Sequence, residues 1–204
     1  MNILRIGDIV GLAPNGLEKL FNGLVSPKSN THHHVLLGPY IPDEEDWVVY
    51  ESLYSGVRVG RLCWYKDRKL RVYRLNEEIG LKAFAKASVY GRRGYDYILP
   101  AKLFMFGVWY WLRHGFKPIP YYLLKDSPNS GLLCTELVIE SYRSFAKIIP
   151  DGVAATPAAI EQALIDGILY LIYDGMLSDL FSLHGLAFKR RKIRWQFKQI
   201  GIVR

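Results

Sequence analysis

Apolar residues in the first part of the chain recur at every second position, the spacing of half-buried strands. Arg5–Leu12 predicts an opening strand with a Gly7-Asp8 corner, Thr31–Leu37 a second and Trp47–Leu53 a third. Val57–Leu62 and Leu70–Leu75 predict two more, with Lys66–Lys69 as the turn between them. The charged stretch Pro42–Asp46 reads as a hairpin loop, and residues 15–24 as a short helix or a loop. The period then changes. Over Asn76–Val89, Ile79, Ala83, Phe84 and Ala87 fall on one side of a helix. Tyr90–Asp96 is a glycine-punctuated loop, and Leu103–Leu112 reads as a helix ended by Gly115 and Pro118. The turn-rich segment Asp126–Gly131 gives way at Cys134 to a helix expected to run to about Ile149. Thr156-Pro157 supplies an N-cap and a proline at the first helical position, opening a helix that continues through Gly167 and Gly175. Strands first and helices afterwards predict an α+β fold, a small antiparallel sheet packed against helices.

Length and composition fit this picture. The 204 residues, half of them hydrophobic, are enough for one domain with a real core. The longest apolar stretch, Leu103–Leu112, falls short of the roughly 20 residues needed to span a bilayer, so no transmembrane segment is expected. The N-terminus lacks the basic-then-apolar layout of a signal peptide, which suits a cytoplasmic or virion-associated protein. Two cysteines without metal-like spacing argue against a disulfide scaffold or a cysteine-rich zinc site.

The net charge of +8 is concentrated at one end. Seven of the 27 basic residues lie between Lys189 and Arg204, where there is no acid; the remaining 20 face 19 acidic residues. Within this tail Ile193, Trp195 and Phe197 alternate with Arg194, Gln196 and Lys198, the pattern of a strand with one basic face. Such a strand suits a charged sheet edge, or contact with an anionic polymer or an assembly partner. No aromatic-rich basic platform exists elsewhere, which argues against nucleic acid as the partner.

Candidate chemistry centres on Cys134. A cysteine in the first turn of a helix meets unpaired backbone N–H groups and the positive end of the macrodipole, both of which favour the nucleophilic thiolate. The histidine cluster His32-His33-His34 offers a base, and Glu51 on the next strand offers a carboxylate to orient it. His32 and His34 share one face of a strand and His33 takes the other. Of the three, His34 is taken as the base because Val35-Leu36-Leu37 continues from it into a packed sheet; His32 and His33 remain open as alternatives. Three adjacent histidines also invite zinc, but no second ligand cluster follows, so neither metal nor cofactor is expected. Cys63, inside Arg-Leu-Cys-Trp-Tyr, reads as structural.

Six short segments occur in a telling order: Gly7-Asp-Ile-Val10, His34-Val35, Tyr50-Glu-Ser52, Tyr95-Asp96, Cys134-Thr-Glu-Leu-Val138 and Thr156-Pro157. In that order the chain resembles the circularly permuted papain-like hydrolases of the NlpC-related superfamily, which includes YiiX-type proteins and relatives of lecithin:retinol acyltransferase. The resemblance covers roughly residues 5–160 and implies a permuted papain-like domain over 1–160. Residues 161–204 would then be a helical extension and basic strand packed on that domain. It also implies Cys134 as nucleophile, His34 as general base and Glu51 as its orienting partner, with histidine preceding cysteine. Leu36-Leu37 departs from the small glycine common in the family after the histidine.

The expected function is a cysteine-dependent hydrolase that attacks an amide or ester carbonyl through an acyl-enzyme, with cell-wall peptide favoured because a basic tail suits anionic polymers. A lipid acyltransferase or thioesterase is the second enzymatic option. The alternative from another class is a structural or interaction protein, such as a virion or assembly component, that keeps the fold without the catalysis.

Overall fold

A computed structural model describes residues 3–25, 29–91, 93–115, 117, 119–125 and 131–183. The basic tail, with its expected strand, and most of the Asp126–Gly131 turn lie outside the described residues. The fold is α+β, built on a six-stranded antiparallel sheet. Its strands are β1 (Ile9–Leu12), β2 (His33–Ile41), β3 (Asp46–Leu53), β4 (Gly56–Arg61), β5 (Lys69–Arg74) and β6 (Tyr170–Met176), in spatial order β4-β3-β2-β1-β5-β6. The helices are α1 (Leu17–Val25), α2 (Glu77–Ala87), α3 (Ile98–His114), α4 (Cys134–Tyr142), α5 (Pro157–Ile165) and α6 (Leu177–Leu183).

Alternation along the strands divides the core in two. Ile9, Leu36 and Tyr73 point to one face and pack against Ala83 and Ala87 of α2, Val138, Ile139 and Tyr142 of α4, and Ile160 of α5. Val10, Val35, Leu37, Val49 and Val72 point to the other, where Leu62 and, from α6, Leu177, Leu180 and Phe181 cover them. Burying each such aliphatic side chain is worth roughly 1.5–3 kcal/mol, so a one-residue slip in any central strand is strongly opposed. Close approach of α2 to the start of β1 depends on two glycines. Gly7 has φ +86°, and a Cβ there would lie 2.2 Å from the Cα of Gly80. Beside it, buried Asp8 accepts from the Arg5 N–H and pairs with Arg74 at 2.7 Å, which anchors the first corner to β5.

Several expectations change. Lys66–Lys69 does not close a hairpin: after β4 the chain takes a 3-10 turn, Leu62–Tyr65, and crosses the sheet to place β5 beside β1. The Cys134 helix stops at Tyr142 rather than near Ile149, and the chain turns back so that Ile148 and Ile149 join the core next to Tyr142. The helix from Pro157 ends at Ile165, because Gly167 adopts φ +72° and closes its C-terminus. The following Tyr-Leu-Ile-Tyr run, rich in aromatic and β-branched residues, becomes strand β6 on the sheet edge. Residues 170–176 are therefore part of the sheet, not a continuation of the helix. Among the described residues no helix is long and apolar enough to cross a membrane.

Candidate active site

Cys134 is the first residue of α4 and partly exposed. The preceding Leu133 has extended backbone, and its N–H donates to the Glu136 carboxylate at 3.1 Å, which fixes the start of the helix. The Cys134 sulfur lies 3.9 Å from the His32 carbonyl oxygen, so the thiol sits at the entrance of β2 rather than over the middle of the sheet. There it can meet side chains from either sheet face.

The structure brings together Cys134, His33 and Glu51. His33 Nε2 lies 3.4 Å from Glu51 Oε2, an ion pair rather than an aligned hydrogen bond. His33 also lies near the Cys134 thiol, close enough that each group's charge stabilises the other's. His34 is elsewhere. Its ring is fully buried, with Nδ1 3.0 Å from Thr135 Oγ1 and Nε2 3.1 Å from Thr31 Oγ1. Both nitrogens are engaged by threonines, so the expectation that the His34 ring faces Cys134 and Glu51 is not met. What His34 does offer the sulfur is its backbone N–H. His32 turns away, its Nδ1 3.1 Å from Asn22 Oδ1.

Electrostatics separates the two inner histidines. Burial opposes a charge on both. For His33 that cost is outweighed by the negative charge and hydrogen bond of Cys134 and then by Glu51, which hold the imidazolium up to about 9. For His34 burial prevails and the neighbouring histidine charges add to it, holding the ring neutral down to about 3. Burial likewise pushes the Cys134 thiol up, but the His33 charge and hydrogen bond, the His34 N–H and the Thr135 hydroxyl together bring it below the ordinary thiol range. The arrangement favours a thiolate–imidazolium pair.

Glu51 is completely buried and well supplied with donors. Arg58 Nε donates to Oε1 at 2.8 Å and the Tyr65 hydroxyl donates to Oε2. Desolvation raises this carboxyl, yet the pairing with His33, the hydrogen bond from Tyr65 and the charge of Arg58 leave it below the usual range. Space for it comes from β4: a Cβ on Gly60 would lie 2.6 Å from Glu51 Oε1. Tyr95 is near enough to feel the thiol: burial and then the Cys134 charge push its hydroxyl up. Cys63 has a different setting. Burial and a hydrogen bond to Asp46 push its thiol up to about 12, which disfavours its thiolate at neutral pH.

Residues not foreseen from sequence are thus Tyr65, Arg58, Gly60 and Thr135. Alternation on β4 is the only signal that could have pointed to Arg58, which the strand register sets directly across from Glu51. Among the described residues, no group of three or more His, Cys, Asp or Glu side chains converges as metal ligands do. No family model matches the sequence and no curated protein matches it.

Proposed function

We propose that the protein is a cysteine-dependent hydrolase or acyltransferase of the permuted papain-like kind, with Cys134 as nucleophile, His33 as general base and acid, and Glu51 as the residue that orients His33. One observation carries the reading: a partly exposed cysteine at a helix start is charge-coupled to a buried histidine that pairs with a fully buried carboxylate. Burying Glu51 and His33 costs stability, and perturbed titrations of this kind concentrate at reactive sites.

In the proposed reaction the thiolate attacks an amide or ester carbonyl, forming a C–S bond and a tetrahedral oxyanion. The Cys134 N–H, at the start of α4, is a donor for that oxyanion, since Leu133 N–H is already committed to Glu136. Collapse breaks the bond to the amine or alkoxide, which leaves with the proton from the His33 imidazolium. A water, or an acceptor hydroxyl or amine, then gives its proton to His33 and releases the acyl group, regenerating the thiolate. Glu51 keeps Nε2 protonated and Nδ1 directed at sulfur throughout.

Intact-mass measurement after mixing with an activated acyl ester tests this. A transient acyl adduct on Cys134 is expected, absent in Cys134→Ala and strongly slowed in His33→Asn. Equal turnover in wild type and Cys134→Ala would refute the reading and favour a structural role for the same fold.

A further inference from the structure

Helix α3 is apolar on two sides, and the core accounts for only one. Leu99, Leu103 and Gly107 face inward, in contact with a cluster that includes Leu24, Ile119 and Leu133. The outer face carries Ile98, Met105, Val108, Trp109 and Leu112, all exposed, with Met105 at 71% and Leu112 at 84%. Their spacing of 7, 3, 1 and 3 residues places them in one stripe along the helix. A continuous exposed apolar stripe of this kind marks a contact surface.

Charge indicates what the stripe contacts. From Tyr97 to Lys125 the sequence contains Lys102, Arg113, Lys117 and Lys125 and no acidic residue. A tryptophan-bearing apolar stripe on a helix whose own charged residues, Lys102 and Arg113, are both cationic has the composition of a helix lying in the plane of a lipid–water interface. A second copy of the chain is a poorer occupant, because antiparallel pairing of two α3 helices sets Lys102 against Arg113 with no acid between them. We propose that the outer face of α3 seats the protein on an anionic lipid surface, with the helix lying along the interface rather than crossing it.

The helix that carries the docking face adjoins the candidate active site. α3 begins directly after Tyr95 and Asp96, and its first turn is capped by Asp96 Oδ1, which accepts from the N–H groups of Ile98 and Leu99. On its inner side α3 packs with Leu133, the residue before Cys134. Lipid binding does not depend on the chemistry proposed for Cys134, so the two claims fail separately.

Flotation of the full chain with phosphatidylcholine vesicles, with and without phosphatidylglycerol, tests the proposal. Binding should rise by about tenfold or more when phosphatidylglycerol is included and fall as salt is added. Met105→Glu/Trp109→Glu, and separately Leu112→Glu, should lose this binding while melting at the wild-type temperature, and Cys134→Ala should keep it. Failure to float with either vesicle overturns the proposal. Wild-type flotation by the glutamate variants also overturns it, since the basic tail is intact in them and would then be the binding element. Concentration-dependent dimers abolished by the same variants, without flotation, would reassign the face to a second copy of the chain.

Discussion

Replacing His34 with glutamine separates the structural histidine from the chemical one. The His34 ring is fully buried between two threonine hydroxyls, and burial, with the charges of His33 and His32, keeps it neutral down to about 3. In the unfolded chain the same ring protonates near 6.5. Between these values the unfolded state binds a proton that the folded state refuses, so stability falls as the pH falls. The slope is about 1.4 kcal/mol per pH unit, which accumulates to about 2 kcal/mol by about pH 5. Glutamine retains a donor and an acceptor for Thr31 and Thr135 but cannot titrate. Urea unfolding of both proteins at neutral pH and near pH 5 should therefore show wild type losing about 2 kcal/mol more than His34→Gln. The variant should also keep fast alkylation of Cys134. Equal pH losses in the two proteins would refute the assignment of His34 as a buried neutral ring. Loss of Cys134 reactivity in a folded His34→Gln would restore it as the base.

Other outcomes follow from the same geometry. Glu51→Gln removes the buried charge behind His33 while keeping its shape, and should lower turnover by on the order of 10²–10⁴-fold with little change in substrate KM, measured by steady-state kinetics on an activated ester. Gly60→Ala should lower turnover in the same direction, because its Cβ would stand 2.6 Å from Glu51 Oε1 and displace the carboxylate; unchanged turnover would show that Glu51 needs no such space. His33→Asn should lower turnover by about 10²–10⁴-fold and leave the protein folded by circular dichroism, since His33 is the first residue of β2 rather than one in its centre.

Much of the fold is legible in the chain, because alternation and helical spacing report which residues face a core. The strands β1 to β5 and the helices α2 and α3 lie near where the pattern puts them, and the Thr156 cap behaves as its sequence implies, with its hydroxyl accepting from Ala159 N–H. The pairing order was not legible, since β5 joins β1 only through a crossing of the sheet that no local signal marks. Nor was β6, whose aromatic run follows a glycine that reads equally well as a weak helical residue or as a stop.

The choice between His33 and His34 turned on register. Near the hairpin Tyr40 pairs with Trp47 and Ile41 with Asp46, a register that, continued, would put Glu51 across from Leu36 and on the His34 face. A bulge between Leu37 and Tyr40 inserts one extra residue in β2, and beyond it Leu37 pairs with Val49 and Leu36 with Tyr50. That single step moves Glu51 to the face of Val35 and His33. Gly38-Pro39 in the bulge is the only local sign of it, proline being confined to such breaks in a ladder. Cys134 and Glu51, by contrast, needed no register to be found: a cysteine at a helix start and an acid within an apolar strand are visible as exceptions to their surroundings.

The most direct test of the thiolate–imidazolium pair is the pH dependence of iodoacetamide labelling at each cysteine, followed by peptide mass mapping. The pair predicts that Cys134 reaches its limiting rate well below the ordinary thiol pKa of about 8.5. Cys63, pushed up to about 12, should stay unlabelled across the neutral range, and His33→Asn should return Cys134 to an ordinary thiol profile. An ordinary profile for Cys134 in the wild type, or one that His33→Asn leaves unchanged, would contradict the pairing of Cys134 with His33.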